Sequence, residues 1–502
     1  MRKPKTWEGL GEVNQKANGR TPLWDAVKQY MSSGCIPFHT PGHKGGKGVD
    51  ADFLGGVGEQ VFRADLSEIP GLDDLHNPRG PIAEAQQRAA ECFGAGETFF
   101  LINGASVGLQ AALLAVLEPG QKILVPRNMH RSVWGAMVLA GCRPIYLLPE
   151  WNQKWGIFLG VEPAAVAKAL KEDPDLKALV VLHPSYEGLV SDLPELVRLA
   201  KKAGLTVIAD EAHGGHFRFH PSMPISALEA GADVAVQGIH KLMGALTQAA
   251  MLHCRKEFSS MKIKAALDLL QSTSPSYLLM ISLDAARENW AKAGNRRLEK
   301  LLKEVQKMRQ NLSSFAGLEC LGPEIIGQGG VAGIDLTRLV ISGRLLGLSG
   351  FELAEKLRRD FAIQPEMATL QYILLLLTIG DDQSSLNCLE SALEKIFRQI
   401  PSCQDKEEVA LASQVTVWPR PVVRFSPREA FFARKVRVPL TSALGRTAGE
   451  LIAPYPPGIP LLCPGELITE EVIEWLTLIR RKKISCQGPF DRSLETIGVI
   501  EE

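Results

Sequence analysis

Lysine is among the residue types least often buried, yet Lys241 stands in "VQGIHKLMGALTQ" (236–248) between runs of small and apolar residues. A lysine so placed either snorkels its ammonium to water or is held there for the chemistry of its amine. Upstream, Asp210 closes the apolar run of "LTVIADEAH"; a carboxylate there is partly buried and needs a cation or an N–H group beside it. "LINGAS" puts Gly104, Ala105 and Ser106 where a strand gives way to a helix. Backbone N–H groups and a hydroxyl then face any anion at that helix start, although Ser106 could equally be no more than a cap. His130, in "VPRNMHRSV", brings an imidazole just past another strand, and "HPSYEG" brings Ser185 and Tyr186 with a turn glycine. An anion cradle, an imidazole, a buried acid and an amine are together the parts that hold pyridoxal 5′-phosphate. A lysine condenses with its aldehyde, a carboxylate keeps its ring nitrogen protonated, and a helix end takes its phosphate.

The elements that must position these groups are legible between about residues 80 and 260. "PIAEAQQRAAECFGA" reads as a helix closed by Gly94, and "VGLQAALLAVLEPG" and "LPELVRLAKKAG" as further helices. "TFFLINGAS", "KILVPRN", "RPIYLLPE", "KALVVLHPS", "LTVIADEAH" and "DVAVQGIHK" are short apolar runs that read as strands. Such alternation predicts an α/β fold with a mostly parallel sheet covered on both faces, and in such sheets ligands bind beyond the carboxyl ends of the strands. A second α/β stretch, with "YILLLLTIGDD" and "SSLNCLESALEKIF", runs from about 300 to 400. "PSCQDKEEVALASQ" reads as a linker or exposed helix, and a last unit is rich in proline turns such as "PYPPGIPLLCPGE". The expected division is 1–80, an N-terminal segment; 81–300, the cofactor-binding large domain; 301–400, a small α/β domain; and 401–502, a C-terminal domain.

Composition bounds the partners. The chain has 502 residues, 45% of them hydrophobic, with Lys plus Arg and Asp plus Glu both at 56. That balance leaves no global field for nucleic acid or a membrane surface, so a charged ligand must be met by local groups. Nine cysteines without a CxxC pair argue against a disulfide framework or a zinc ribbon and fit a reducing cytoplasm. The N-terminus lacks an apolar signal core, and "YILLLLTIG" is far short of a bilayer span. Two other motifs point elsewhere at first sight. His213, His216 and His220 in "HGGHFRFH" have a spacing that invites a metal, but two glycines separate the first pair and no helix or knuckle presents them, so no metal is expected. "PGHKGGKG" misses the spacing and the Ser/Thr of a nucleotide-binding P-loop.

Six stretches, "FHTPGHKGG", "DLSEIPGLDDLHNPRGPIAEAQ", "VPRNMHRSV", "DEAHGGHF", "GIHKLMGALTQAAMLH" and "PYPPGIPLLCPGE", also carry a likeness. From about residue 20 to 490 the chain resembles the ornithine/lysine/arginine decarboxylases of the pyridoxal-phosphate fold type I superfamily, in particular the shorter bacterial members. The resemblance implies a pyridoxal-phosphate-transferase-like large domain with smaller α/β C-terminal domains. It implies decarboxylation of a basic amino acid, arginine or lysine before ornithine, to a polyamine-type amine and CO2. It also implies at least a homodimer, with the N-terminal segment near an active site. Position by position it makes Lys241 the cofactor-linked lysine and Asp210 the partner of the ring nitrogen, with His130 stacked on the ring and His213 beside the ring oxygen and the lysine. Gly104, Ala105, Ser106 and His240 go to the phosphate. Family members commonly carry serine or threonine where this chain has Gly238, so one phosphate hydroxyl is missing. Asp73, Asp74 and Glu466 stand at motif positions that could receive a substrate's distal cation, although a helix cap or a surface ion pair is the favoured reading for each alone. An aminotransferase or a side-chain lyase would share Lys241 and Asp210, although no arginine for a substrate carboxylate can be assigned. A non-catalytic homologue is the remaining alternative.

Overall fold

The computed structural model describes residues 20–399 and 417–501; the stretch "PSCQDKEEVALASQ" lies outside them. Seven strands form the central sheet: β1 (Glu97–Leu101), β2 (Lys122–Pro126), β3 (Arg143–Leu147), β4 (Leu176–Leu182), β5 (Thr206–Asp210), β6 (Val234–Gln237) and β7 (Ala250–Cys254), in the order β1-β7-β6-β5-β4-β2-β3. Strands β3, β2, β4, β5 and β6 run parallel, and β7 runs antiparallel to both β6 and β1. The expected mostly parallel sheet is therefore present, with one reversed strand, "AMLHC", that the sequence reading had not assigned.

Alternate residues of each strand enter opposite faces, as the two-residue pleat demands. Ile208 and Val236 pack with the helices Gly104–Val116 and Arg131–Ala140 on one side, while Val207, Ala209 and Ala235 pack with Leu193–Lys202 on the other. Helix Pro81–Phe93 ends at Gly94, whose φ of 72° is the left-handed value that favours glycine.

Helix Tyr277–Leu312 is 36 residues long, about 54 Å at 1.5 Å per residue. It passes without a break through the 300/301 boundary expected from the sequence, so one rigid element links the large and small units. Helical periodicity on both sides hid no turn signal there. The small unit is an antiparallel four-stranded sheet built around Arg338–Ser342 and Ile373–Leu376. The C-terminal unit pairs Lys435–Pro439 with Thr496–Ile500 over its own core of Ile452, Leu462, Leu476 and Val499. Among the described residues no helix is long and apolar enough to cross a membrane.

Candidate active site

The parallel register sets Leu182, Asp210 and Val236 side by side. The loops that follow them, carrying Tyr186, His213 and Lys241, therefore leave the sheet at one edge. On the other flank Leu101 pairs with Ala250, and the His240 N–H donates to the Ala249 carbonyl at 3.1 Å, which ties the start of helix Gly104–Val116 to the Lys241 turn. Two chain-distant loops are thus brought together by sheet pairing rather than by side-chain recognition.

Lys241 sits on a single helical turn, Ile239–Leu242. Its Nζ lies 2.7 Å from His213 Nε2 and 5.5 Å from the centre of the Tyr186 ring, which itself packs on His213 with centroids 4.4 Å apart. The amine is half-buried and does not snorkel. Burial lowers its pKa from 10.5 to about 8, Asp210 and Glu366 acting to raise it and Arg338 to lower it further. His213 is buried and held well below the ordinary histidine range, first by desolvation and then by the fields of Lys241 and Arg338, so its ring is neutral. His130 caps its own helix through Nδ1 and is pushed down to about 4 by burial and Lys241. His240, half-buried, is lowered by burial and by Lys241.

Asp210 is 4% exposed, and among the described residues the one hydrogen bond to its carboxylate comes from the Ala212 N–H at 3.3 Å. Burial raises its pKa and the Lys241 field opposes that rise. Among the described residues no cation lies within ion-pair distance of it. A buried carboxylate so short of partners fits a cationic N–H such as a protonated pyridine nitrogen. At the helix start, Asn103 offers no side-chain cap and the Ser106 hydroxyl is exposed. A Cβ at Gly104, whose φ is +78°, would meet only the Gln248 carbonyl at 3.9 Å, which leaves room before the free N–H groups for a phosphate. Gly238 has its own reason: a Cβ there would lie 2.8 Å from the Ala212 carbonyl, so glycine lets the Asp210 and Lys241 loops approach. The residues present fit pyridoxal phosphate.

Three groups considered for a substrate's distal cation are engaged elsewhere. Glu466 is buried against Arg127 at 3.0 Å and accepts the Cys463 N–H, so it is not free for a substrate. Asp73 is spent on the N–H groups of Arg79, Gly80, Ile82 and Ala83 at the head of helix Pro81–Phe93, and Asp74 on that of His76. His213, His216 and His220 turn to three different partners, Lys241, Asp335 and Glu299. Conversely, Arg338 and Glu366 of the small unit, which no sequence motif singles out, reach the site electrostatically. For Arg338 the available signal was a cation opening the apolar run "RLVIS".

The model of the Orn/Lys/Arg decarboxylase major domain matches residues 21–385, and that of the family's C-terminal domain matches 412–496. This chain belongs to the Orn/Lys/Arg decarboxylase family. It is 40% identical over 483 residues to the arginine decarboxylase of Bacillus subtilis, covering 96% of this chain and 98% of that one. The lysine decarboxylase A structure from Pseudomonas aeruginosa superposes with a TM-score of 0.84 at 22% identity, covering 96% of this chain and 80% of that one. A ureidoglycine–glyoxylate aminotransferase from Bacillus subtilis superposes at 0.53 with 13% identity, over 66% of this chain and 88% of that one. The fold is thus the α/β type that decarboxylases share with aminotransferases, and the family makes the protein a decarboxylase of a basic amino acid.

Proposed function

We propose that the substrate is arginine, that pyridoxal 5′-phosphate is the cofactor, and that Lys241 carries it. The reading rests on the Lys241 amine, half-buried against His213 at 2.7 Å, standing in the field of an acid, Asp210, that has no cation within ion-pair distance among the described residues. The name of the Bacillus relative, at 40% identity over nearly the whole length of both chains, supports arginine over lysine and ornithine. When bound, the cofactor supplies an electron sink for the pair released as the bond from Cα to the carboxylate breaks.

The chain's own residues do the rest. Asp210 would hold the proton on the ring nitrogen, and the N–H groups of Gly104, Ala105 and Ser106, with the Ser106 hydroxyl and His240, would take the phosphate. His130 would cover one face of the ring. Lys241, whose pKa burial lowers to about 8, has a large neutral, nucleophilic fraction near that pH and would be the residue that holds the cofactor's aldehyde. It then stands with His213 to return a proton to Cα. The N-terminal segment exposes Ile36 at 76% and Phe38 at 93%, apolar surface that suits burial against a second copy of the chain.

Borohydride reduction of the loaded enzyme followed by peptide mapping should place the label on Lys241; a label elsewhere ends the assignment. Release of CO2 measured separately with arginine, lysine and ornithine should favour arginine. Sedimentation should show a dimer or a larger assembly.

A further inference from the structure

Arg338 is wholly buried, comes from the small unit, and reaches the edge of the large sheet. Its path is built: a Cβ on Gly188, whose φ is +91°, would lie 2.8 Å from Arg338 Cγ, so glycine at the end of "SYEG" lets the side chain pass beneath the Tyr186 turn. Asp335 anchors the guanidinium through Nε at 3.3 Å and is itself fixed by the Thr337 N–H and hydroxyl and by His216 at 3.1 Å. The far end, NH2, lies 3.0 Å from the His213 carbonyl and 3.2 Å from His213 Nδ1. NH1 is left buried without a hydrogen-bond partner among the described residues.

A guanidinium has donors and no acceptor. His213 Nδ1 must therefore offer its lone pair to Arg338, and the one proton of the neutral imidazole sits on Nε2. That N–H points at Lys241 Nζ, 2.7 Å away. An ammonium has no lone pair to receive it, whereas a free amine does. We propose that Arg338 is a positioning residue which, by holding His213 in its Nε2–H tautomer, makes the site select Lys241 as the neutral amine. The charged groups acting on Lys241 are Asp210, Glu366 and Arg338, and the titratable or charged groups acting on His213 are Lys241, Arg338, His130 and His240. The carboxylates pull toward the ammonium and the tautomer pulls away from it.

The inference deepens the cofactor reading, and its first test needs no cofactor. Long-range 15N–1H correlation NMR on the full-length, cofactor-stripped, histidine-labelled protein should show His213 protonated on Nε2 and bare on Nδ1 at neutral pH, with His213→Gln assigning the signals. An Nδ1–H tautomer or an imidazolium overturns the proposal. The second test follows, by absorbance against pH, the capture of pyridoxal 5′-phosphate by Lys241. In Arg338→Met the apparent pKa of the amine should rise, and capture at neutral pH should slow about tenfold for each unit. Arg338→Lys keeps the charge but loses the fork and should shift the profile the same way by less. An unchanged profile in folded Arg338→Met also overturns the proposal, and if that variant does not fold, the wild-type tautomer decides. Should the wild-type protein capture no aldehyde at Lys241, the cofactor reading fails while the tautomer measurement still judges Arg338.

Discussion

Asp210 and Glu466 are both buried carboxylates, 4% and 3% exposed, and the protein treats them in opposite ways. Glu466, in the C-terminal unit, meets Arg127 just past β2 at 3.0 Å; the same guanidinium donates to the Leu461 carbonyl at 3.1 Å and lies over the Tyr146 ring at 5.3 Å. Burial raises the Glu466 pKa and Arg127 opposes it, so charge is cancelled by charge and two units are locked together. Asp210 has one backbone N–H and a distant lysine field. A buried acid that is paired holds a structure, and one left short of partners is ready to receive a ligand.

The contrast can be broken by mutation. Glu466→Gln leaves Arg127 charged and alone, and should cost roughly 3–5 kcal/mol of stability in urea unfolding. The double change Arg127→Met with Glu466→Leu should recover most of that loss, because no orphaned charge remains. Asp210→Asn should behave otherwise. With no cation to orphan, the cofactor-free protein should unfold at an unchanged or slightly higher urea midpoint, while kcat falls roughly 100- to 1,000-fold. A large loss of stability there would make Asp210 a structural acid like Glu466.

Two milder tests sharpen the same point. Burial leaves Lys241 at about 8, and only the neutral amine attacks an aldehyde. Capture of pyridoxal 5′-phosphate should therefore rise with pH, about tenfold per unit below that value, and level off above it. A plateau reached only near the ordinary lysine range would contradict the buried environment. Glu366 is exposed and its field raises the Lys241 pKa, so Glu366→Gln should move the midpoint of that profile downward, by less than about one unit because solvent screens it. An upward shift would mean that the carboxylate does not face the amine.

Much of the site was visible before folding because its local chemistry is local. Lys241, Asp210 and Gly104–Ser106 each follow a short apolar run, and a run that ends in a polar group reads as a strand delivering that group to an edge. The reversed strand Ala250–Cys254 was not visible as such, since its burial on both faces leaves no alternation to read. The partners that Asp73 and Glu466 would take were equally hidden. Asp73 caps a helix several residues away, and Glu466 finds its arginine more than three hundred positions upstream.

The residues in their order determined the layered α/β scaffold and the kinds of group that line its edge, because hydrophobic period and strand-end chemistry act over a few neighbours. Only the tertiary structure decided which acid would be paired and which left open, and that Arg338 would meet His213 across 125 positions. Hydrogen bonds and ion pairs act over a few ångströms of space, and distance along the chain does not report that separation.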